Sequence, residues 1–145
     1  MVTCFTLVSF QGKYYGILIE GESFENKGGW IVDPQFVEQM GAPYLLAHGL
    51  GTPVENAQTE IQSPSKGKYH VWVRTKNWVP GDWNAPGRFK LVVNQIELKH
   101  TLGTIKNWNW QYAGEIEIND YAESIELLDL TGFEGRCDAI YFCTK

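Results

Sequence analysis

The segment Lys68–Thr75 (Lys-Tyr-His-Val-Trp-Val-Arg-Thr) alternates without a break and constrains the chain more than any other stretch. In an extended backbone successive side chains point to opposite faces. Tyr69, Val71, Val73 and Thr75 therefore share one face, and His70, Trp72, Arg74 and Lys76 the other. A strand apolar on one side only has to be half of a packed pair of sheets. A turn at Lys66-Gly67 leads into it, and the loop Asn77–Gly87, with two Pro and two Gly, leads out.

Further strands follow the same logic. Tyr15–Phe24 and Trp30-Ile31-Val32 come first, then Tyr44–Gly49, a buried apolar run. Gln58–Gln62 alternates and is stopped by Ser63-Pro64-Ser65, and Phe89–Val93 leads into a hairpin-like Val93-Asn94-Gln95-Ile96. Gly114–Ile118, Ser124–Asp129 and Cys137–Cys143 supply the last three. One short helix is expected at 34–40, with Asp33 as the capping acid, Pro34 at its first position and Gly41 closing it. Short strands at this spacing predict an all-β fold, an antiparallel β-sandwich, most simply a jelly roll, over residues 15–145.

Charge limits the partners. The chain has 145 residues and a net charge of −5, which argues against bulk attraction to nucleic acid or to an anionic membrane. Eight basic residues lie between Lys66 and Lys106 against two acids, whereas Glu115–Glu134 holds seven acids and no Lys or Arg. Five of the six Trp, all but Trp30, fall between 72 and 110. A nucleic-acid binder stacking bases on those Trp is the reading that the net charge disfavours. The segregation fits two solvated edges of one sandwich as readily as a ligand with flat faces and negative charge. No apolar run approaches the ~20 residues of a membrane span.

Cys4, Cys137 and Cys143 form no metal-binding spacing. An extended run would hold Cys137 and Cys143 ~20 Å apart, too far to bridge. They read as small buried apolar residues. Residues 1–14 are ambiguous: Val2–Phe10 is apolar and uncharged like a secretory signal, although no basic residue precedes it, and a first strand is the other reading. The signal reading places the domain outside the cytoplasm, secreted or periplasmic.

Catalytic motifs are missing. Gly49-Leu50-Gly51 lacks the third Gly and the following helix of a dinucleotide fingerprint, and there is no phosphate loop, nucleophile elbow or His-Glu-x-x-His. His48 reads as a satisfied buried histidine and Trp72 as packing. The domain is expected to be non-catalytic.

Two segments suit recognition of a polyhydroxylated ring, which needs flat aromatic faces and planar polar groups. Trp78-Val79-Pro80-Gly81-Asp82-Trp83-Asn84 places two Trp in a Pro-stiffened loop. Asn107–Tyr112, if extended, puts Trp108, Trp110 and Tyr112 on one face and Asn107, Asn109 and Gln111 on the other. The binding candidates are Trp78, Trp83, Trp108, Trp110, Arg74 and Asn109. The competing reading has individual Trp capping the core, and Arg74 and Arg136 paired with buried carboxylates.

Three stretches carry a family likeness: Ile19-Glu20-Gly21-Glu22-Ser23-Phe24, Gly67–Arg74 and Cys137-Asp138-Ala139-Ile140. In this order they resemble the opening, central and closing strands of jelly-roll carbohydrate-binding modules of the galactose-binding-like type. Gly21 departs from the Ala usual in that pattern. The resemblance implies a module that binds polysaccharide or oligosaccharide and targets a linked catalytic domain. It also implies a structural calcium held by Glu20, Glu22 and Asp138. Clustered carboxylate oxygens suit Ca²⁺, and Glu20 and Glu22 would share a face of the first strand. Otherwise those two acids are exposed or pair with Arg136.

A narrower likeness rests on Gly29–Asp33, Tyr44–Gly49 and Leu130–Asp138. These resemble a sandwich domain attached to FAD-dependent oxidoreductases of polysaccharide-degrading bacteria. That implies, as the alternative, a structural accessory domain with no sugar binding of its own.

Overall fold

The structure is a computed structural model that describes residues 15–144; the apolar segment read as a signal lies outside the described residues. Along the chain run β1 (Gly16–Glu20), a 3₁₀ turn (Gly21–Ser23), β2 (Ile31–Asp33), α1 (Val37–Met40), β3 (Tyr44–His48) and β4 (Ala57–Gln62). There follow β5 (Gly67–Thr75), β6 (Phe89–Val93), β7 (Ile96–Glu97), β8 (Asn109–Ile118), β9 (Ala122–Asp129), β10 (Phe133–Cys137) and β11 (Ala139–Cys143). They make three antiparallel sheets, ordered β1-β11-β5-β8, β10-β3-β2 and β4-β9-β6-β7. The expected antiparallel β-sandwich is what forms, with α1 the one α-helix among the described residues.

The alternation in β5 sets the packing. Tyr69, Val71, Val73 and Thr75 are all fully buried. Tyr69, Val71 and Val73 join Ile140 and Phe142 of β11, Phe89, Leu91 and Val93 of β6, and Ile125 and Leu127 of β9 in one apolar cluster. Burying each such side chain contributes about 1.5–3 kcal/mol, so the sheets are held mainly by this layer.

Four details differ from the sequence expectations. The first strand stops at Glu20 rather than Phe24, because the chain turns at Gly21 against the last strands. There the Gly21 amide donates to the Asp138 carbonyl at 2.6 Å, and a Cβ would sit 2.4 Å from the Cys137 carbonyl oxygen. The helix is a single turn, and Asp33 caps the preceding turn by accepting from the Gln35 amide. The run Cys137–Cys143 is two strands in two sheets, broken at Asp138, whose amide donates to the Arg74 carbonyl. Strand β8 begins five residues early and carries a bulge. Val71 pairs with Gly114 and Trp72 with Tyr112, leaving Ala113 as the extra residue, with Gly114 at φ 143°.

Candidate functional site

The loop between β5 and β6 is held at its start and at its central turn. At its start the Asn77 amide donates to the Ile105 carbonyl, which brings Lys106 up as a facing wall. Gly81 turns with φ 102°, a conformation costly for other residues. The Trp83 indole Nε1 donates to the Pro80 carbonyl at 3.2 Å, which fixes the ring across this turn. The result is an open cavity of about 530 Å³ lined by Trp78, Trp83, Asn77, Asp82, Asn84 and Lys106, among others. Trp83 is 58% exposed and Trp78 37%. Two aromatic faces therefore border a hollow that also presents amides, a carboxylate and an ammonium group.

Beneath the loop lies an aromatic bed. Phe36 contacts Trp78, Trp108 and Tyr44 at ring-centre distances of 5.6, 6.0 and 6.0 Å, and Trp108 also meets Tyr44 at 5.1 Å. The Lys76 ammonium sits 3.9 Å above the Phe36 ring. Burial and the nearby Arg136 charge lower its proton affinity. Arg136 is wholly buried; it donates to the Trp78 carbonyl and to the Glu134 carbonyl, and pairs with the Glu134 carboxylate at 3.2 Å. Tyr44 bonds Asp33, and burial pushes its phenol above the ordinary range.

The six binding candidates do not form one surface. Trp78 and Trp83 line the cavity, whereas Trp108 precedes β8 and turns into the aromatic bed instead of sharing a face with Trp110. Trp110 lies on the outer face of its sheet, 43% exposed and 6.4 Å from the Tyr141 ring. Asn109 donates to the Asn107 carbonyl. Arg74 meets Asp138, with Nη1 3.4 Å from its carboxylate, and is absent from the cavity lining. Trp72, expected to pack, does so only sideways: it lies 4.9 Å from Tyr112 and is 36% exposed on the same outer face as Trp110.

His48 corrects another expectation. It is half-exposed, not buried, and its Nδ1 bonds the Glu134 carboxylate. Together with Leu50, Val79, Pro80, Trp83 and Phe133 this pair lines a second cavity of about 270 Å³. Neither His48 nor Glu134 stood out as a pair in the sequence, where 86 residues separate them.

Of the three acids expected to hold calcium, Glu20 and Glu22 come within electrostatic reach of Asp138, although not by a shared strand face. Glu20 ends β1 opposite Ala139, and Glu22 lies in the 3₁₀ turn. Burial is the main cause that pushes the Asp138 carboxyl up to about 6; Arg74 opposes it, and Glu20 and Glu22 add to it. One Glu22 carboxylate oxygen is buried with no hydrogen-bond partner among the described residues. Burial, Asp138 and Glu22 also raise the neighbouring Cys137 thiol. The donor chemistry fits a hard cation. As they stand, no three His, Cys, Asp or Glu side chains among the described residues close around a metal position.

No protein-family model matches the chain, and no curated protein matches it by sequence. Its shape does have counterparts. A family 35 carbohydrate binding module from Clostridium thermocellum aligns with a TM-score of 0.68 at 16% identity, over 88% of this chain and 97% of that one. The GH26-CBM35 beta-(1,4)-mannanase of Podospora anserina aligns with a TM-score of 0.67 at 20% identity, over 88% of this chain and 27% of that one. The chain thus spans only a fraction of that enzyme's length. The C-terminal CBM6 of a marine laminarinase from Zobellia galactanivorans gives 0.59 at 17% identity, over 88% and 98%. These likenesses establish the jelly-roll fold.

Proposed function

We propose that the domain is a non-catalytic carbohydrate-binding module whose site is the cavity between Trp78 and Trp83. The observation that carries this reading is the exposure of both rings around a hollow bordered by Asn77, Asp82, Asn84 and Lys106. A pyranose offers C–H faces to an indole and hydroxyls to amides and carboxylates, and this lining supplies both kinds of partner. A cavity of about 530 Å³ falls inside the usual range for a small-molecule site. The Pro80-Gly81 turn and the Arg136 bond hold the rings in place, so little ordering entropy is lost on binding.

The shape-matched modules bear carbohydrate-binding names, and the mannanase carries its module beside a catalytic domain. That supports a linked catalytic domain as partner of this chain, and a secreted or periplasmic setting where polysaccharide is met. A purely structural accessory domain, such as one packed on an FAD-dependent oxidoreductase, calls for Trp rings lying flat against a neighbour. The polar groups that border the Trp83 cavity, Asn77, Asp82, Asn84 and Lys106, favour the glycan reading.

A structural calcium belongs to the same proposal. Glu20, Glu22 and Asp138 would hold it, with the ion offsetting the two glutamate charges that add to the rise of the Asp138 carboxyl. Its work would be to tie β1 to β11.

Affinity electrophoresis in gels containing soluble mannan, xylan, β-glucan or polyuronate tests the site. Wild type should be retarded by at least one polymer and Trp83→Ala should run as in a blank gel. Equal retardation of the two would remove the site from this loop.

A further inference from the structure

The second cavity shares Val79 and Trp83 with the first, so the two adjoin across the same stretch of loop. We propose that His48, Phe133 and Glu134 form a second sugar subsite, and that the module reads two consecutive residues of a glycan chain rather than one terminal sugar. This rests on the glycan reading of the first cavity.

Size points the same way. At about 270 Å³ the hollow falls just short of a stand-alone ligand pocket, and suits one ring of a chain already held next door. Its chemistry matches a sugar too. The Phe133 ring lies 5.3 Å from that of Trp83, which makes an apolar wall with Leu50, Val79 and Pro80. His48 and Glu134 are the polar groups of the lining. With Nδ1 engaged by the carboxylate, Nε2 of His48 is left to accept from a hydroxyl.

Glu134 is held there at a cost. Its φ is 69°, a left-handed conformation that penalises a side chain by about 1–3 kcal/mol. Glycines stand nearby at 132 and 135, yet position 134 carries a carboxylate. The strain persists because Arg136 grips both its carbonyl and its carboxylate, while His48 takes the other oxygen. The bulge between Phe133 and Gly135 in the pairing with β3 is what sets Phe133 beside Trp83 and Glu134 beside His48. A strained, over-determined polar residue bordering a hollow is the pattern of a binding position.

Calorimetry with β-1,4-linked manno-, gluco- and xylo-oligosaccharides of one to four residues tests this directly. In wild type, affinity for the recognised sugar should rise at least tenfold from one residue to two. His48→Ala, at an exposed position, and Phe133→Ala should each bring that ratio close to unity, whereas Ile96→Ala on the remote hairpin should keep it. Thermal melts identify any variant that fails to fold, and His48→Ala alone suffices if Phe133→Ala does. A ratio that survives both substitutions, or a wild type that binds the single sugar as tightly as the chain, overturns the second subsite and leaves the first standing. Absence of binding at every length, together with no retardation by any of the four polymers in the affinity gels, overturns the glycan reading, and the second subsite with it.

Discussion

The guanidinium of Arg136 donates through Nη1 to the backbone carbonyl of Trp78, 58 residues away in sequence. One buried side chain on β10 thereby fixes the loop that carries the exposed Trp rings. It also lies 5.5 Å from the Trp78 ring and 5.7 Å from that of Phe36, so the cation is enclosed by aromatic faces.

Removing that cation should do two things. Arg136→Ala empties a fully buried volume and leaves the Glu134 carboxylate with His48 as its one partner among the described residues, a loss of about 3–5 kcal/mol. In a domain of this size that lowers Tm by about 6–20 °C. The Trp78–Trp83 loop should loosen with it, seen as a red shift of Trp emission at temperatures below the melt. Thermal and fluorescence scans of the variant check both.

The carboxylate cluster makes stability depend on pH. Asp138 has its carboxyl pushed from 3.8 up to about 6, chiefly by burial. Between those values the folded chain keeps a proton that the unfolded chain releases, so raising pH favours unfolding. The metal-free domain should therefore lose stability from about pH 4 to about pH 6 through this group, and Asp138→Asn should flatten that slope in EDTA. Calcium should raise Tm at pH 7 and do much less at pH 4.5. Identical melts with calcium and with EDTA at pH 7 would exclude the ion.

Gly21 bears on the same cluster. A Cβ there would approach the Cys137 carbonyl oxygen to 2.4 Å, and that atom is backbone. Gly21→Ala should force β1 away from Asp138 and lengthen the 2.6 Å bond from the Gly21 amide. A loss of about 1–3 kcal/mol is expected in chemical denaturation.

The hairpin at Asn94-Gln95 offers a gain as well as a loss. Both residues have positive φ, 50° and 66°, as a tight hairpin turn requires. Asn94 bonds the Glu123 carboxylate and accepts from the Ser124 amide. Asn94→Ala should cost about 1–2 kcal/mol. Gln95, exposed and without such bonds, carries the same backbone penalty, so Gln95→Gly should stabilise by about 0.5–1 kcal/mol. Urea titrations of the two variants check the opposite signs.

What the sequence reveals and conceals follows from the range of each interaction. The β5 alternation is legible because burial on one face writes itself at period two, and Asn94-Gln95 is legible as a turn between two apolar runs. The break at Asp138 is not. Residues 135–140 are all buried, so the break leaves no mark in the pattern, and only the pairing with Arg74 shows why the chain changes sheet. The Trp residues are likewise identical on paper. Trp108 turns inward because Phe36 and Tyr44 wait there, Trp110 outward because β8 has begun, and both facts belong to the assembled fold. His48 ends an apolar strand and so reads as buried. It stands instead at the rim of the second cavity, where Glu134, from the far end of the chain, meets it.

The central claim is that sugar contacts the rings of Trp78 and Trp83. Two-dimensional NMR of the Trp indole N–H signals, assigned by single Trp→Phe variants and followed through titration with the polymer that retards the domain, tests it most directly. The account predicts that the Trp78 and Trp83 signals move saturably with one affinity, while those of buried Trp30 and of Trp110 on the outer sheet face stay in place. Movement of Trp72 and Trp110 with Trp78 and Trp83 unmoved would contradict it and place the site on the flat face of the sheet.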